Sequence, residues 1–208
     1  MMKHYHKIHS IFKRNPENKH KSFLIGEYSC PEFEYLKNNE WVFTEKVDGT
    51  NIVIELSPDK DPIFGGRTER AQIPADLMNQ LIEDFKGYRM DNLMTLYGEG
   101  YGPKIQKGGG NYRTDPGFVL FDIYCGSMWL TRENCEEIAR TLDIDIVPII
   151  GTGTLAEACN WARNGITSKW GDFRAEGIVA RPSVELVMRN GSRVITKVKC
   201  KDFAVEGK

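Results

Sequence analysis

Apolar and polar positions change period several times along this chain. From Glu40 to Gly49 the order Glu-Trp-Val-Phe-Thr-Glu-Lys-Val-Asp-Gly reads as a strand entering a tight turn at Asp48-Gly49. Asn51 to Leu56 resumes as an apolar strand, so the two are expected to form a hairpin-like pair. Phe64-Gly65-Gly66-Arg67 reads as another strand end or turn. Between Pro74 and Tyr88 the period lengthens: Ile73, Leu77, Leu81 and Phe85 recur every fourth residue, which predicts an amphipathic helix closed near Gly87. Thr95 to Glu99 is a short strand, Gly100 to Gly117 a long loop, and Phe118 to Tyr124 a buried strand. Thr131 is placed to cap a helix reaching about Leu142, and Thr154 a second one ending near Gly165. Ile144 to Ile150 is a further strand candidate. Glu176 to Arg181 and Val194 to Lys199 read as strands around an Asn190-Gly191 turn. In the second of these, Val194, Thr196, Val198 and Cys200 share one face, and Arg193, Ile195, Lys197 and Lys199 the other. The pattern is α+β and rich in antiparallel strands.

Composition narrows the class. The chain has 208 residues, 40% hydrophobic and 27% charged, with Gly 20 and Pro 9 scattered along it. Global disorder, collagen and coiled coils are excluded by that pattern. No apolar run approaches the ~18–20 residues of a membrane helix; Ile144 to Ile150 is interrupted by Asp145 and Pro148. The Met-Met-Lys-His-Tyr-His start lacks the apolar centre of a signal peptide. Five cysteines with no CxxC pair read as free thiols of a reducing compartment, with zinc not expected and a cytoplasmic location implied. Net charge is -1, but the charges are sorted. All four histidines lie in the first 20 residues, beside Lys3, Lys7, Lys13, Arg14 and Lys19. Leu186 to Lys201 carries Arg189, Arg193, Lys197, Lys199 and Lys201 without an acid. A polyanion site and a plainly solvated face both account for such stretches.

Chemistry concentrates at a few positions. Lys197 and Lys199 project from one face of one strand. Two ammonium groups there repel unless an anion lies between them, although lysines also guard exposed strands. Lys46 stands at the end of an apolar strand, one residue before Asp48-Gly49. Desolvation and neighbouring cations would lower the pKa of such a lysine and make it a usable nucleophile; an ordinary charged hairpin has the same letters. Glu99 and Glu176 each adjoin glycine, in Tyr97-Gly-Glu-Gly100 and Glu176-Gly-Ile-Val179. Carboxylates facing lysines would bind a hydroxyl or a hard cation such as Mg²⁺, or form surface ion pairs.

The order of these blocks is itself informative. Lys46-Val-Asp-Gly, Leu96-Tyr-Gly-Glu-Gly, Phe118-Val-Leu-Phe-Asp-Ile, Glu176-Gly-Ile-Val-Ala-Arg and Lys197-Val-Lys follow one another. They resemble motifs I, III, IIIa, IV and V of the covalent nucleotidyltransferases, the polynucleotide ligases and mRNA capping enzymes. Thr44 to Asn51, Gly102-Pro-Lys-Ile-Gln-Lys107 with Tyr112, and Tyr5 to Arg14 are similar to segments of the RNA ligases. The resemblance spans about Trp41 to Phe203 and implies one nucleotidyltransferase domain over 1–208, with a core at about 41–203 and a basic segment at 1–30. Its α+β fold would have mainly antiparallel sheets flanked by helices, like the ATP-grasp-type ligase domain, with no OB-fold or C-terminal helical domain.

By that resemblance Lys46 would attack the α-phosphate of ATP and form lysyl–AMP. AMP would pass to an RNA 5′-phosphate and be displaced by a 3′-hydroxyl. Backbone around Glu45 would read adenine, Phe121 would stack on it, and Glu99 would hold the ribose. Asp48 and Gly49 complete the first motif. Glu176, with Glu99 and Asp48 as helpers, would serve Mg²⁺ or Mn²⁺. Lys197 and Lys199 would hold the phosphates as pyrophosphate leaves. Arg67 would contact AMP or the RNA phosphate, and Asn51 the RNA end. A DNA ligase, a guanylyltransferase and a non-catalytic nucleic-acid-binding module remain the alternatives, and the oligomeric state is open.

Overall fold

The computed structural model describes residues 2–203. Within the span read as one domain, the residues gather into two compact units. One comprises His6–Val47 and the chain from Pro148 onward; the other comprises Asp48–Val147 with the first residues through Tyr5. The chain crosses between them at Tyr5–His6, at Val47–Asp48 and at Val147–Pro148.

The first unit begins with β1 (His9–Ser10), β2 (Phe12–Arg14), β3 (Phe23–Tyr28), the short α1 (Pro31–Tyr35) and β4 (Trp41–Lys46). The second unit then supplies β5 (Thr50–Leu56), β6 (Ile63–Gly66), α2 (Ala75–Asp84), β7 (Met94–Tyr101), β8 (Gly117–Cys125), β9 (Met128–Trp129), α3 (Arg132–Thr141) and β10 (Asp145–Ile146). The chain returns to the first unit with β11 (Ile149–Gly153), α4 (Leu155–Asn164), β12 (Gly177–Pro182) and β13 (Thr196–Lys199).

The first unit's main sheet has the order β1-β13-β12-β4-β11, antiparallel except for β1 on β13, while β2 and β3 form a separate ribbon. One face is apolar because Trp41, Phe43, Ile178, Ala180 and Val198 fall on the same parity of three adjacent strands. α4 covers that face with Leu155, Ala158, Cys159 and Ala162. Its start is fixed by a reciprocal capping box between Thr154 and Glu157. The opposite face carries Thr44, Lys46, Lys197 and Lys199.

The second unit's sheet runs β10-β8-β7-β5-β6, with β9 on β8. Ile52, Ile54, Leu96, Phe118, Leu120 and Ile123 point to a core shared with Leu77 and Leu81 of α2 and Cys135 and Ala139 of α3. Fully burying each leucine contributes about 1.5–3 kcal/mol. α2 is shorter than its apolar period implies. It ends at Asp84, and the backbone leaves the helix through Gly87 at φ 78°, although Phe85 still packs in the core.

Three expectations change. The hairpin of the strands flanking Asp48-Gly49 does not form: β4 pairs with β12 and β11, β5 with β6 and β7. Both strands are apolar enough to be central in different sheets, and the turn residues are where the chain changes unit. The Ile144–Ile150 segment is two short strands, parted at Val147-Pro148 because proline cannot donate to a ladder. On β13's side of its turn, Arg193 and Ile195 are as buried as Val194 and Thr196, so strict alternation holds only from Thr196 to Lys199.

Candidate active site

In the first unit, register brings the charged motifs together. Lys46 on β4 lies opposite Gly177 on β12, and Gly177 lies opposite Lys199 on β13. One row therefore carries Lys46 and Lys199 on the same face with only glycine between them. That glycine is required. A Cβ at 177 would collide with the Val198 carbonyl oxygen and lie 2.8 Å from Lys199 Cα. Glu176, one residue before the strand, fills the space between the lysines. Its Oε2 accepts from Lys46 Nζ at 2.5 Å, and its Oε1 lies 2.5 Å from Lys199 Nζ. Lys46 Nζ also approaches the Val47 carbonyl at 3.4 Å.

The three side chains are mostly shielded, with 20%, 21% and 13% of Lys46, Lys199 and Glu176 exposed. Burial works against the Glu176 charge, but Lys46 and Lys199 outweigh it and hold the carboxyl below the usual glutamate range. The anion that reconciles neighbouring ammonium groups is thus the motif IV glutamate, and it joins Lys46 to Lys199. Lys197 stands two residues away on the same face.

Glu45 faces the other way. It is 1% exposed among core residues, where its Oε1 accepts from Ser168 Oγ at 2.6 Å and its Oε2 from Lys169 N at 2.8 Å. Its own amide donates to Pro148 O at 3.1 Å. The carboxylate clamps the segment at 168–169 to β4, a structural task that the motif reading missed. The signal was available: Glu45 shares the parity of Trp41 and Phe43.

In the second unit, Asn51, Glu99 and Val119 form a cross-strand row on the face away from α2 and α3. Directly opposite residues of antiparallel strands sit about 4.5–5.5 Å apart. Asn51 Oδ1 is buried without a hydrogen-bond partner among the described residues. Such an acceptor is costly unless a ligand or water serves it. Phe121 occupies a bulge in β8, where Tyr97 faces Asp122 and Gly98 faces Leu120. Bulges re-aim side chains, and this one turns Phe121 to the same face, where Tyr5 packs edge-on at 4.9 Å. The Tyr5 hydroxyl donates to Asp122. The basic opening segment contributes here too: Lys3 lies over the Tyr124 ring at 3.1 Å.

Asp48 is half-buried, and its amide donates to the Tyr112 hydroxyl at 3.2 Å. Gly49 meets β7: a Cβ there would collide with the Gly100 carbonyl and lie 2.7 Å from Glu99 Cγ. Glycine at 49 is therefore demanded by the protein's own backbone. Arg67 lies just past β6, exposed.

Among the described residues, no three His, Cys, Asp or Glu side chains converge as a metal cage. All five cysteines are free, and no described helix is long and apolar enough to cross a membrane.

Comparison with known proteins bears on the family and the fold. A family model described as RNA ligase matches residues 39–199. Solved structures of Naegleria gruberi RNA ligase are similar in fold. A ligand-free mutant superposes with a TM-score of 0.62 at 18% identity, over 98% of this chain and 59% of that one. The form with PPi gives 0.60 at 21% identity, over 92% and 56%. A mutant with ATP and Mn gives 0.61 at 18% identity, over 97% and 64%. The chain thus spans 56–64% of the length of these relatives. The likeness is one of fold, which in this chain is mixed α+β and built mainly from antiparallel strands.

Proposed function

The chain belongs to the RNA ligase family, and from that membership we propose that it is an ATP-dependent RNA ligase acting through lysyl–AMP on Lys46. The observation that supports this reading most is the Lys46–Glu176–Lys199 arrangement. A lysine amine, the carboxylate that binds it and a second cation stand together on one face of the sheet.

In the proposed reaction Lys46 Nζ, once deprotonated, attacks the α-phosphate of ATP. A P–N bond forms, the bond to the β-phosphate oxygen breaks, and pyrophosphate leaves with the electron pair. An RNA 5′-phosphate oxygen then displaces Lys46 from AMP, and a 3′-hydroxyl finally displaces AMP to close the phosphodiester. The chain's own work is positioning and charge stabilisation, which is most of what phosphoryl transfer requires. Glu176 orients Lys46 in the resting state. Lys199 and Lys197 stabilise charge on the phosphates. The backbone at Glu45 reads adenine, while its carboxylate keeps β4 in place. Phe121 offers a ring to the base, Glu99 an acceptor to the ribose, and Asn51 and Arg67 polar groups to the RNA end. Asp48 and Gly49 shape the turn after the nucleophile.

A bound Mg²⁺ or Mn²⁺ would neutralise phosphate charge, with Glu176, Glu99 and Asp48 as the carboxylates available to it. An RNA-repair role in a reducing, cytoplasmic setting is supported by the family and the five free thiols.

The test is ligation. Nicked duplex, splinted and single-stranded RNAs with 5′-phosphate and 3′-hydroxyl ends are incubated with ATP, GTP or NAD⁺, alongside DNA nicks. Sealing of RNA with ATP, lost in Lys46→Ala, is the expected result. Sealing that persists in that variant, or labelling by GTP alone, would overturn the proposal.

A further inference from the structure

Beside β6, the outermost strand of the second unit's sheet, lies a concavity of about 310 Å³. The sequence accounts for its shape. Phe64-Gly65-Gly66 leaves the strand without side chains at consecutive positions, one on each face. Over the first lies a thioether: a Cβ at 65 would sit 2.6 Å from Met2 Sδ. Past the second, the chain folds back as a turn from Thr68 to Ala71, closed by the Ala71 amide donating to Thr68 O at 3.0 Å. A Cβ at 66 would lie 2.5 Å from Ala71 Cβ, so glycine lets that turn close on the strand. Ile73 and Met78 add to the apolar lining, while Thr68 and Glu69 line it from exposed positions.

The strand also offers this concavity hydrogen-bonding groups. Among the described strands β6 pairs with β5 alone, so one edge of its backbone has no neighbouring strand. His4 Nδ1 donates to Gly66 O at 3.3 Å, which puts the Gly66 carbonyl on that edge. In an antiparallel strand a residue's N–H and C=O point the same way, and every second residue repeats the direction. Phe64 therefore turns its N–H and C=O outward as well. Donors and acceptors in a row beside apolar walls suit a flat heterocycle. Its ring packs on thioethers, and its own polar edge meets backbone. Arg67 and Arg70, both exposed, add positive charge beside and on the same turn.

We propose that this concavity binds one unpaired nucleobase of the RNA, the base next to the phosphate that Arg67 contacts. The inference rests on the RNA-ligase reading and deepens it, naming an RNA end with an unpaired terminal nucleotide as the preferred substrate. A paired base does not qualify, because its hydrogen-bonding edge is already used. Glu69 is an acceptor for an exocyclic amine. Arg67 directly follows Gly66, so the base and phosphate contacts adjoin along the chain. The cations and the polar strand edge together favour a nucleotide over an uncharged apolar ligand.

The experiment uses the whole chain with Met78→Trp, which fills the concavity, and Glu69→Gln, which changes an exposed lining residue and carries the test if the first variant does not fold. RNAs with a 5′-phosphate carry the fluorescent base 2-aminopurine at that end, unpaired in one set and paired within a nicked duplex in another. The 2-aminopurine nucleoside monophosphate is the third probe. Met78→Trp is expected to weaken binding of the unpaired end about ten-fold, and Glu69→Gln to weaken it in the same direction. Binding of the paired end should change less than about two-fold. Variants that bind the unpaired end like wild type, or that lose paired and unpaired ends equally, overturn the proposal. So do variants that lose only the free nucleotide, which would make this a mononucleotide site. Binding is read without any covalent step. Wild type that holds the unpaired base here but seals no RNA would uphold this site and overturn the function proposed above; a sealing enzyme whose variants bind like wild type would do the reverse.

Discussion

Glu176 sits between two ammonium groups with both oxygens used. While Glu176 holds Lys46, that amine is engaged with a carboxylate and, in the proposed reaction, is at rest. In the proposed reaction, exchange of that partner for phosphate would come first. Glu176→Gln removes the charge and keeps the shape, so it should cost about 2 kcal/mol at neutral pH, read from denaturant midpoints. The folded-state carboxyl lies below the ordinary value of about 4.3. Its stabilising contribution is therefore full above about pH 4.3 and is lost as the pH falls through the lower folded value. The difference between wild type and variant should shrink over that acidic window; a difference independent of pH would contradict the ion-pair account. At this scale the sequence displayed the participants, because Lys46, Glu176 and Lys199 each sit in a recognisable block. It did not display their pairing, which depends on β4, β12 and β13 lying side by side in one register.

Strand β4 does two jobs on alternating residues. Lys46 is presented on the charged face, and Glu45 on the buried one ties down the segment at 168–169. Glu45→Ala leaves the Ser168 hydroxyl and Lys169 amide without their acceptor in a buried setting. It should lower stability by about 2–3 kcal/mol, read as a lower thermal midpoint. A variant as stable as wild type would remove the clamp from the account. The turn after β4 carries a different constraint. Gly49→Ala drives a methyl into the Gly100 carbonyl, so backbone must shift on β7 beside Glu99. Expected is a loss of about 1–3 kcal/mol together with weaker nucleotide binding, checked by denaturation and by ATP titration. Helix starts were legible because Thr131 and Thr154 cap them as their side chains suggest. The partners of β4 and β5 were not, because an Asp-Gly turn between two apolar strands is a local signal, and here long-range pairing overrides it.

Across the whole molecule, the antiparallel α+β class followed from the pattern of strands, and Asn51, Glu99 and Phe121 were pointed to by the resemblance, while the bulge in β8 beside Phe121 was not legible. Nor was the division into two cores, since neither composition nor linkers change at Val47–Asp48 or Val147–Pro148. The concavity beside β6 was only half legible. The paired glycines were visible, but Met2 and His4 reach them through tertiary contacts. The proposed reaction turns on one atom, Lys46 Nζ. After incubation with labelled ATP and a divalent cation, the protein should carry one AMP in an acid-labile, alkali-stable linkage, and peptide mapping should place it on Lys46. Label on another residue, or equal labelling of Lys46→Ala, would contradict it.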